Sequence, residues 1–473
     1  MRKAEDYIHS SSDHTVKIVS GLPEDVVAML FGKFSRNPKN LRDTLQSMID
    51  TGHLDPPELA QNASEKAREF HKRVTIGYGH KSVSDHAVIH FAVEGASAVA
   101  ERDFTEARLI AATSKSTRYV NFSEAGFVTP PEMYGVTAYQ NHCEQLIRDY
   151  TLLVPKAVEA VRAILPFDKQ DLFKNEKGWL NATEKRGLDM VRDVLPMSVK
   201  TSFGISTSIT GFKEMMQKRK EDDHGEIVAL AHDLSNVATE VFPVLATPLS
   251  TGCSPKFKLP GMKMFDAGRG FSTDTRVKLL KSPDWPLVEQ VTGVNCLDLV
   301  RRWTHDRGHH QVPARDAELA EYWFEVIMPI AIHRDLGRHR MMTQLCSYID
   351  PVGGYGCDPI FRSPIQEPRL IDVFREREIA LKASDTRMEK LRDFGSDALE
   401  YACPMATMVK VLWKVNVREL VHLLGLRTTP QGHPAYRRVA QQVATTIKYH
   451  DTWMAVLIDE IVNFNDVLIG RPG

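Results

Sequence analysis

The chain has 473 residues, 42% of them apolar, with 60 Lys and Arg against 61 Asp and Glu and a formal net charge of −1. This is the composition of a globular protein of more than one domain; it excludes disorder, collagen and coiled coil, and the lack of a basic excess excludes a binder of nucleic-acid polymers. No apolar run approaches the roughly 18 residues of a membrane span, and the polar start MRKAEDYIHSSSDHTVKIV lacks a signal peptide's apolar stretch.

In chain order, the apolar run 15–19 predicts a strand, followed by a Pro-containing turn and a helix start. The glycine-containing stretch Ile76-Gly77-Tyr78-Gly79 leads into His80-Lys81-Ser82-Val83-Ser84-Asp85-His86, where backbone without side chains beside His and Ser suits close approach of a cofactor. A further strand is expected at 87–93. The segment Ser114-Lys115-Ser116-Thr117-Arg118-Tyr119 joins hydroxyls, cations and an aromatic ring, a set able to hold a phosphate. Ala138, Leu146, Leu152, Val158 and Val161 space an apolar stripe for a helix over 136–163. Residues 251–275, rich in Gly, Pro, Ser and Thr, read as a surface connector. A strand is expected at 277–280, and the stretch WFEVIMPIAI then leads to Arg338-His339-Arg340. The two guanidiniums there are planar forks suited to a phosphate or a pyrimidine carbonyl edge, at about 1.5–3 kcal/mol per charge-assisted bond. Val411, Val415, Val417, Leu420, Val421, Leu423 and Leu424 predict a helix over 411–427 ending in Arg427, and the last forty residues read as helical.

The six cysteines, Cys143, Cys253, Cys296, Cys346, Cys357 and Cys403, form no C-x-x-C pair and read as thiols of a reducing cytoplasm. His305, His309 and His310 lack the pattern that completes a metal site, so no metal is expected.

The chain repeats itself. Val16–Val27 parallels Val277–Val288, Gly79-His80 parallels Gly308-His309, and Arg102–Arg108 parallels Arg334–Arg340. Phe127–Pro130 parallels Phe361–Pro364, and Leu195-Pro196-Met197 parallels Cys403-Pro404-Met405. Arg219 and Arg427 lie at the same distance beyond these last tripeptides. Matches in one order indicate a tandem duplication: a first repeat at 1–250, the connector at 251–275, a second repeat at 276–473. Each is expected to be α+β, helix-rich around a central, mostly antiparallel sheet.

Together these segments resemble the flavin-dependent thymidylate synthase family, whose members carry H-x-S/T-x-x-E-H, R-Q-x-x-R-H-R, S-x-R-Y, N-x-R and L-R. The first repeat reads His80-x-Ser82-x-x-Asp85-His86 and keeps Ser116-x-Arg118-Tyr119, but breaks R-H-R at Glu106-Ala107-Arg108. The second keeps Arg338-His339-Arg340, Asn416-x-Arg418 and Leu426-Arg427, and loses S-x-R-Y. This complementary retention is what a site shared between repeats would leave.

The resemblance implies the reductive C5 methylation of dUMP to dTMP, with methylenetetrahydrofolate as one-carbon donor, FAD as cofactor and NADPH as reductant. It also implies a homodimer that forms a pseudo-tetramer. Carried over, Ser116, Arg118 and Lys410 bind the nucleotide, with Arg437 (or its neighbour Arg438) near the substrate carbonyls. His80, Ser82, Arg338, His339, Arg340 and Arg427 hold the flavin, and Arg338 and Arg340 orient and polarise the pyrimidine ring. Asp103 and Asp335 replace a family glutamine near the base, where a carboxylate would repel a uracil carbonyl. Two alternatives stay open: a flavoenzyme of the same fold that modifies another pyrimidine nucleotide, and a non-catalytic flavin- or nucleotide-binding protein.

Overall fold

The computed structural model describes residues 3–10, 15–22, 30–51, 87–167, 173, 175–242, 246, 274–304, 311–349 and 354–465. His80, Ser82, residues 251–273 of the connector and the histidines at 305, 309 and 310 lie outside the described residues. The chain forms two compact units, Met1–Glu144 with Met197–Lys256, and Gln145–Pro196 with Phe257–Gly473.

The strands are β1 (Ile8–Ser10), β2 (Val16–Val19), β3 (Val88–Ser97), β4 (Ala111–Ser114) and β5 (Lys200–Ser208), then β6 (Arg276–Lys281), β7 (Glu321–Pro329), β8 (Thr343–Cys346) and β9 (Met408–Asn416). The main helices are α1 (Leu41–Asp50), α2 (Ala98–Thr105), α3 (Thr137–Ile164), α4 (Glu176–Val191), α5 (Ile209–Lys220) and α6 (Gly225–Val241), then α7 (Trp285–Thr292), α8 (Cys296–Thr304), α9 (Ile330–Leu336), α10 (Pro368–Met388), α11 (Ser396–Ala402), α12 (Val417–Arg427), α13 (Pro434–His450) and α14 (Ala455–Ile461). Among the described residues no helix is long and apolar enough to cross a membrane.

Each unit is built on an antiparallel sheet, of order β1-β2-β3-β5-β4 in the first and β6-β7-β9-β8 in the second. The registers agree as well. Ser97 faces Lys200 as Pro329 faces Met408, and Ala111 faces Ser206 as Thr343 faces Lys414. The difference is one extra residue in β3. The register slips between Glu94 and Ala96, and Gly95 sits there at φ +73°, a conformation open to glycine without strain. The two sheets are therefore built on diverged copies of one domain, although residues Gln145–Pro196 of the first copy pack in the second unit.

Sheet and helix alternate for local reasons. At the end of β5 the Ser208 hydroxyl accepts from the Gly211 N–H at 3.1 Å, and at the end of β9 the Asn416 side chain accepts from the Glu419 N–H at 2.9 Å. Each satisfies an amide that the first helical turn leaves unpaired. In the first unit Phe91, Phe104, Phe203, Ile205, Phe212 and Leu234 close a core between sheet and helices. In the second, Tyr322, Phe324, Val411, Trp413, Leu424 and Val443 are buried.

Three expectations need correction. Residues 411–427 are not one helix: Val411, Trp413 and Val415 alternate inward along β9, and helix begins only after Asn416. Branched side chains fit the pleat, and the ladders to β7 and β8 take up their backbone groups. In α3 the buried stripe runs through Tyr139, Cys143, Leu146, Tyr150, Leu153 and Ala157, while Leu152 is 63% exposed. Finally, Phe127 pairs with Val199 as Tyr355 pairs with Thr407, and one-turn helices start at Pro131 and at Pro359. The structural counterpart of Phe127 is Tyr355, not Phe361.

Buried ion pairs tie α4 and its C-terminal turn into the second unit. Arg186 grips Asp358 through both terminal nitrogens at 2.7 and 2.8 Å, and Arg377 grips Asp193 at 2.7 and 3.1 Å.

Candidate functional site

In the second unit, α9 ends just before Arg338-His339-Arg340, and Arg427 is the last residue of α12. The helix carries Glu419 two turns earlier on the same face, since Glu419, Leu423 and Arg427 are spaced by four. The buried His339 ring lies between them. Its Nδ1 is 2.9 Å from Glu419 Oε1, and its Nε2 accepts the Arg427 Nε–H at 2.8 Å. Gln344 donates to the His339 and Leu336 carbonyls at 3.2 and 3.3 Å and fixes the turn.

Burial, then the charges of Arg427 and Arg340 and the nearby His422 ring, hold His339 well below the usual imidazole value, so the ring is neutral at pH 7. Burial also raises Glu419, against the pull of His422, Arg418 and Arg427. Arg427 stacks over Tyr436 at 5.2 Å, and its two terminal nitrogens make no hydrogen bond to any described residue. Arg338 is exposed and has no hydrogen bond or ion pair among the described residues; Arg340 is half-buried.

The other predicted residues are distributed differently. Lys410 is half-buried on β9, its backbone bonded to Ser347 at 2.9 and 3.2 Å. Arg437 is buried and donates to the carbonyls of Thr428 at 3.1 Å and Asn465 at 2.9 Å, a role in holding the chain, while Arg438 is exposed. In the first unit Ser116 opens a tight turn after β4. Its hydroxyl accepts the Arg118 N–H at 3.2 Å, its carbonyl accepts the Tyr119 N–H at 3.1 Å, and the half-buried Arg118 guanidinium lies over the Tyr119 ring at 5.8 Å.

The aspartates expected to repel a base are both paired. Asp335 meets Arg192 at 2.5 Å, and Asp103 meets Arg219 at 2.7 Å. Neither is a bare carboxylate facing a ligand.

Glu419, Tyr436 and Arg192 were not among the predicted residues. For Glu419 a signal existed: Asn416 with Glu419 three positions on is a helix start, and Glu419 and Arg427 share a face. The apolar spacing of the same segment masked it. Arg192 left no local signal, because 143 residues separate it from Asp335.

Among the described residues no group of His, Cys, Asp or Glu could hold a metal ion, and the five described cysteines are free thiols.

The family model described as thymidylate synthase complementing protein matches the chain twice, over residues 43–244 and 274–450. A UPF0159 protein of Chlamydia muridarum is 23% identical, with 99% of this chain and 96% of that protein covered. A UPF0159 protein of Thermoplasma acidophilum is also 23% identical, over 86% of this chain and 91% of its own length. A flavin-dependent thymidylate synthase of Thermococcus kodakarensis is 25% identical over 33% of this chain and 56% of its own length.

Proposed function

Because the chain belongs to the thymidylate synthase complementing protein family, we propose that it is a flavin-dependent thymidylate synthase-like methyltransferase. In this reading it methylates C5 of dUMP, with methylenetetrahydrofolate as one-carbon donor and NADPH as reductant. The observation that carries the reading is the Arg427 fork, anchored at Nε by a neutral buried histidine, with both terminal nitrogens uncommitted among the described residues.

The donor set fits FAD and a nucleotide. Arg338 and Arg427 offer guanidinium nitrogens without internal partners, and Asp335, the carboxylate of the same segment, is neutralised by Arg192. Such forks suit phosphate and carbonyl oxygens in pairs. Arg338, His339, Arg340 and Arg427 would hold the flavin, together with His80 and Ser82; when bound, FAD supplies the hydride. Ser116 and Arg118 would hold the nucleotide phosphate, with Lys410 adding charge. Arg338 and Arg340 would orient the pyrimidine ring. Charge that develops on the uracil oxygens meets preorganised donors, each worth about 3–4 kcal/mol when buried. His339, neutral and already engaged at both nitrogens, positions and does not transfer a proton.

The first repeat retains S-x-R-Y and the second R-H-R, and this reading assigns a role to the motif that each copy keeps. Two chains per assembly would give a pseudo-tetramer. The reading includes a cytoplasmic location, where NADPH and free thiols coexist.

The test is direct. Purified protein should take up FAD with a visible flavin spectrum, and should release tritium from 5-labelled dUMP only when NADPH and methylenetetrahydrofolate are both present. Protein that takes up no added FAD would end the proposal. Flavin uptake without tritium release would move it to another pyrimidine nucleotide.

A further inference from the structure

A guanidinium can only donate hydrogen bonds. With Arg427 Nε 2.8 Å from His339 Nε2, that ring nitrogen must present its lone pair, and the ring proton must sit on Nδ1. Nδ1 then donates to Glu419 Oε1 at 2.9 Å. The chain of bonds runs one way, from Arg427 through His339 to Glu419. The other titratable or charged groups facing the ring are His422, whose ring centre is 5.4 Å away, and Arg340; Arg418 faces Glu419.

The first unit is an internal control. Ala107 lies 10 residues past Ser97 as His339 lies 10 past Pro329, and Gly211 lies 11 past Lys200 as Glu419 lies 11 past Met408. Both partners are thus absent together, and an open cavity of about 730 Å³ is lined there by Ala107, Gly211, Asp103, Met215 and Arg219. Arg219, the counterpart of Arg427, has turned inward. Its Nε meets Asp103 at 2.7 Å, its Nη1 donates to the Met215 carbonyl at 3.1 Å and its Nη2 to the Asp103 carbonyl. Where the Glu–His pair is missing, the arginine has no nitrogen left for a ligand.

We propose that Glu419 is a positioning residue: through His339 it aims the Arg427 fork at a planar ligand edge of carbonyl or phosphate oxygens. The proposal rests on the reading of Arg427 as a ligand-binding residue. Glu419 itself touches no ligand; it keeps the His339 proton on Nδ1, so that Nε2 remains an acceptor and Arg427 stays turned outward.

Histidine-selective 15N labelling of the full chain tests this, with the spectrum of H339N assigning the resonance. At pH 7 the His339 ring should be neutral with Nδ1 protonated. E419A should mix the tautomers and weaken affinity about tenfold, for dUMP if the edge is a pyrimidine or its phosphate and for FAD if it belongs to the flavin. E419Q, whose amide oxygen still accepts, should recover most of that loss. A purely structural Glu419 would lower thermal stability while leaving tautomer and affinities alone, and that result overturns the proposal. So does a wild-type ring protonated on Nε2. If the wild type binds neither dUMP nor FAD, the functional reading falls, while the nitrogen spectrum of the free protein still decides the Glu–His–Arg chain.

Discussion

Arg219 and Arg427 occupy the same place in the two copies, 19 residues beyond the first residue of β5 and of β9. One is sealed and the other is open. In the first unit Asp103 takes Arg219 as its partner. In the second the matching Asp335 is satisfied by Arg192, so Arg427 is left to His339. The same arginine is consumed internally in one copy and keeps two uncommitted nitrogens in the other, according to the partners that the neighbouring aspartate and histidine have.

The largest expected effect separates these roles. Arg219→Ala removes the ion-pair partner of a buried carboxylate and should cost the first unit about 3–5 kcal/mol, read as a lower urea midpoint. Arg427→Ala should leave that midpoint nearly unchanged and weaken FAD or dUMP affinity by about tenfold or more. Similar stability losses in both variants would erase the distinction.

Next comes the anchoring of α4. Burial alone would raise the Asp358 carboxyl, but Arg186, helped by His433 and the Ile360 N–H, holds the group below the usual carboxylate range. A depressed folded value means stability present above the unfolded value of about 3.9 and lost as pH falls through the folded one. Asp358→Asn should therefore cost about 2 kcal/mol at pH 7, and its gap from wild type should narrow below about pH 4. Urea titrations across that range check it; a gap independent of pH would assign the loss to packing.

A smaller effect tests the release of Arg427. Arg192→Leu frees Asp335 to compete for cations, and dUMP affinity should fall about fivefold although Arg192 is outside the proposed ligand set. Adding Asp335→Asn should restore most of it. If the single variant binds dUMP normally, Asp335 does not compete. The smallest effect is on the surface. Lys156 and Glu376, 49% and 42% exposed, should contribute less than about 1 kcal/mol, so Lys156→Ala should barely shift the denaturation midpoint.

Much of the fold was legible. Tandem matches at Arg102–Arg108 and Arg334–Arg340, and at the two Leu/Cys-Pro-Met tripeptides, fall at equal distances along the chain from equivalent strand residues of the two sheets. They could be read because turns and strand ends constrain single residues locally. The match of Phe127 with Phe361 misled because two unrelated Phe-x-x-Pro strings lie six residues out of register; the bridge from Tyr355 to Thr407 settles the alignment. The strand at Met408–Asn416 was missed because its valines also fit a helical spacing, and only its neighbours β7 and β8 decide. In the candidate site, His339 and Arg427 were legible as motif residues, and the bond between them was not.

From the order of residues alone came the duplication, the α+β class and the cations able to meet an anion, since all of these follow from composition, periodicity and short motifs. Folding decided which of those cations are consumed internally. Arg437 is bonded to carbonyls, Arg219 to Asp103, and Arg427 is left open by a histidine 88 residues away. The reason is that a buried charge must be satisfied by whatever partner the tertiary packing brings within hydrogen-bond reach, and sequence distance carries no information about that.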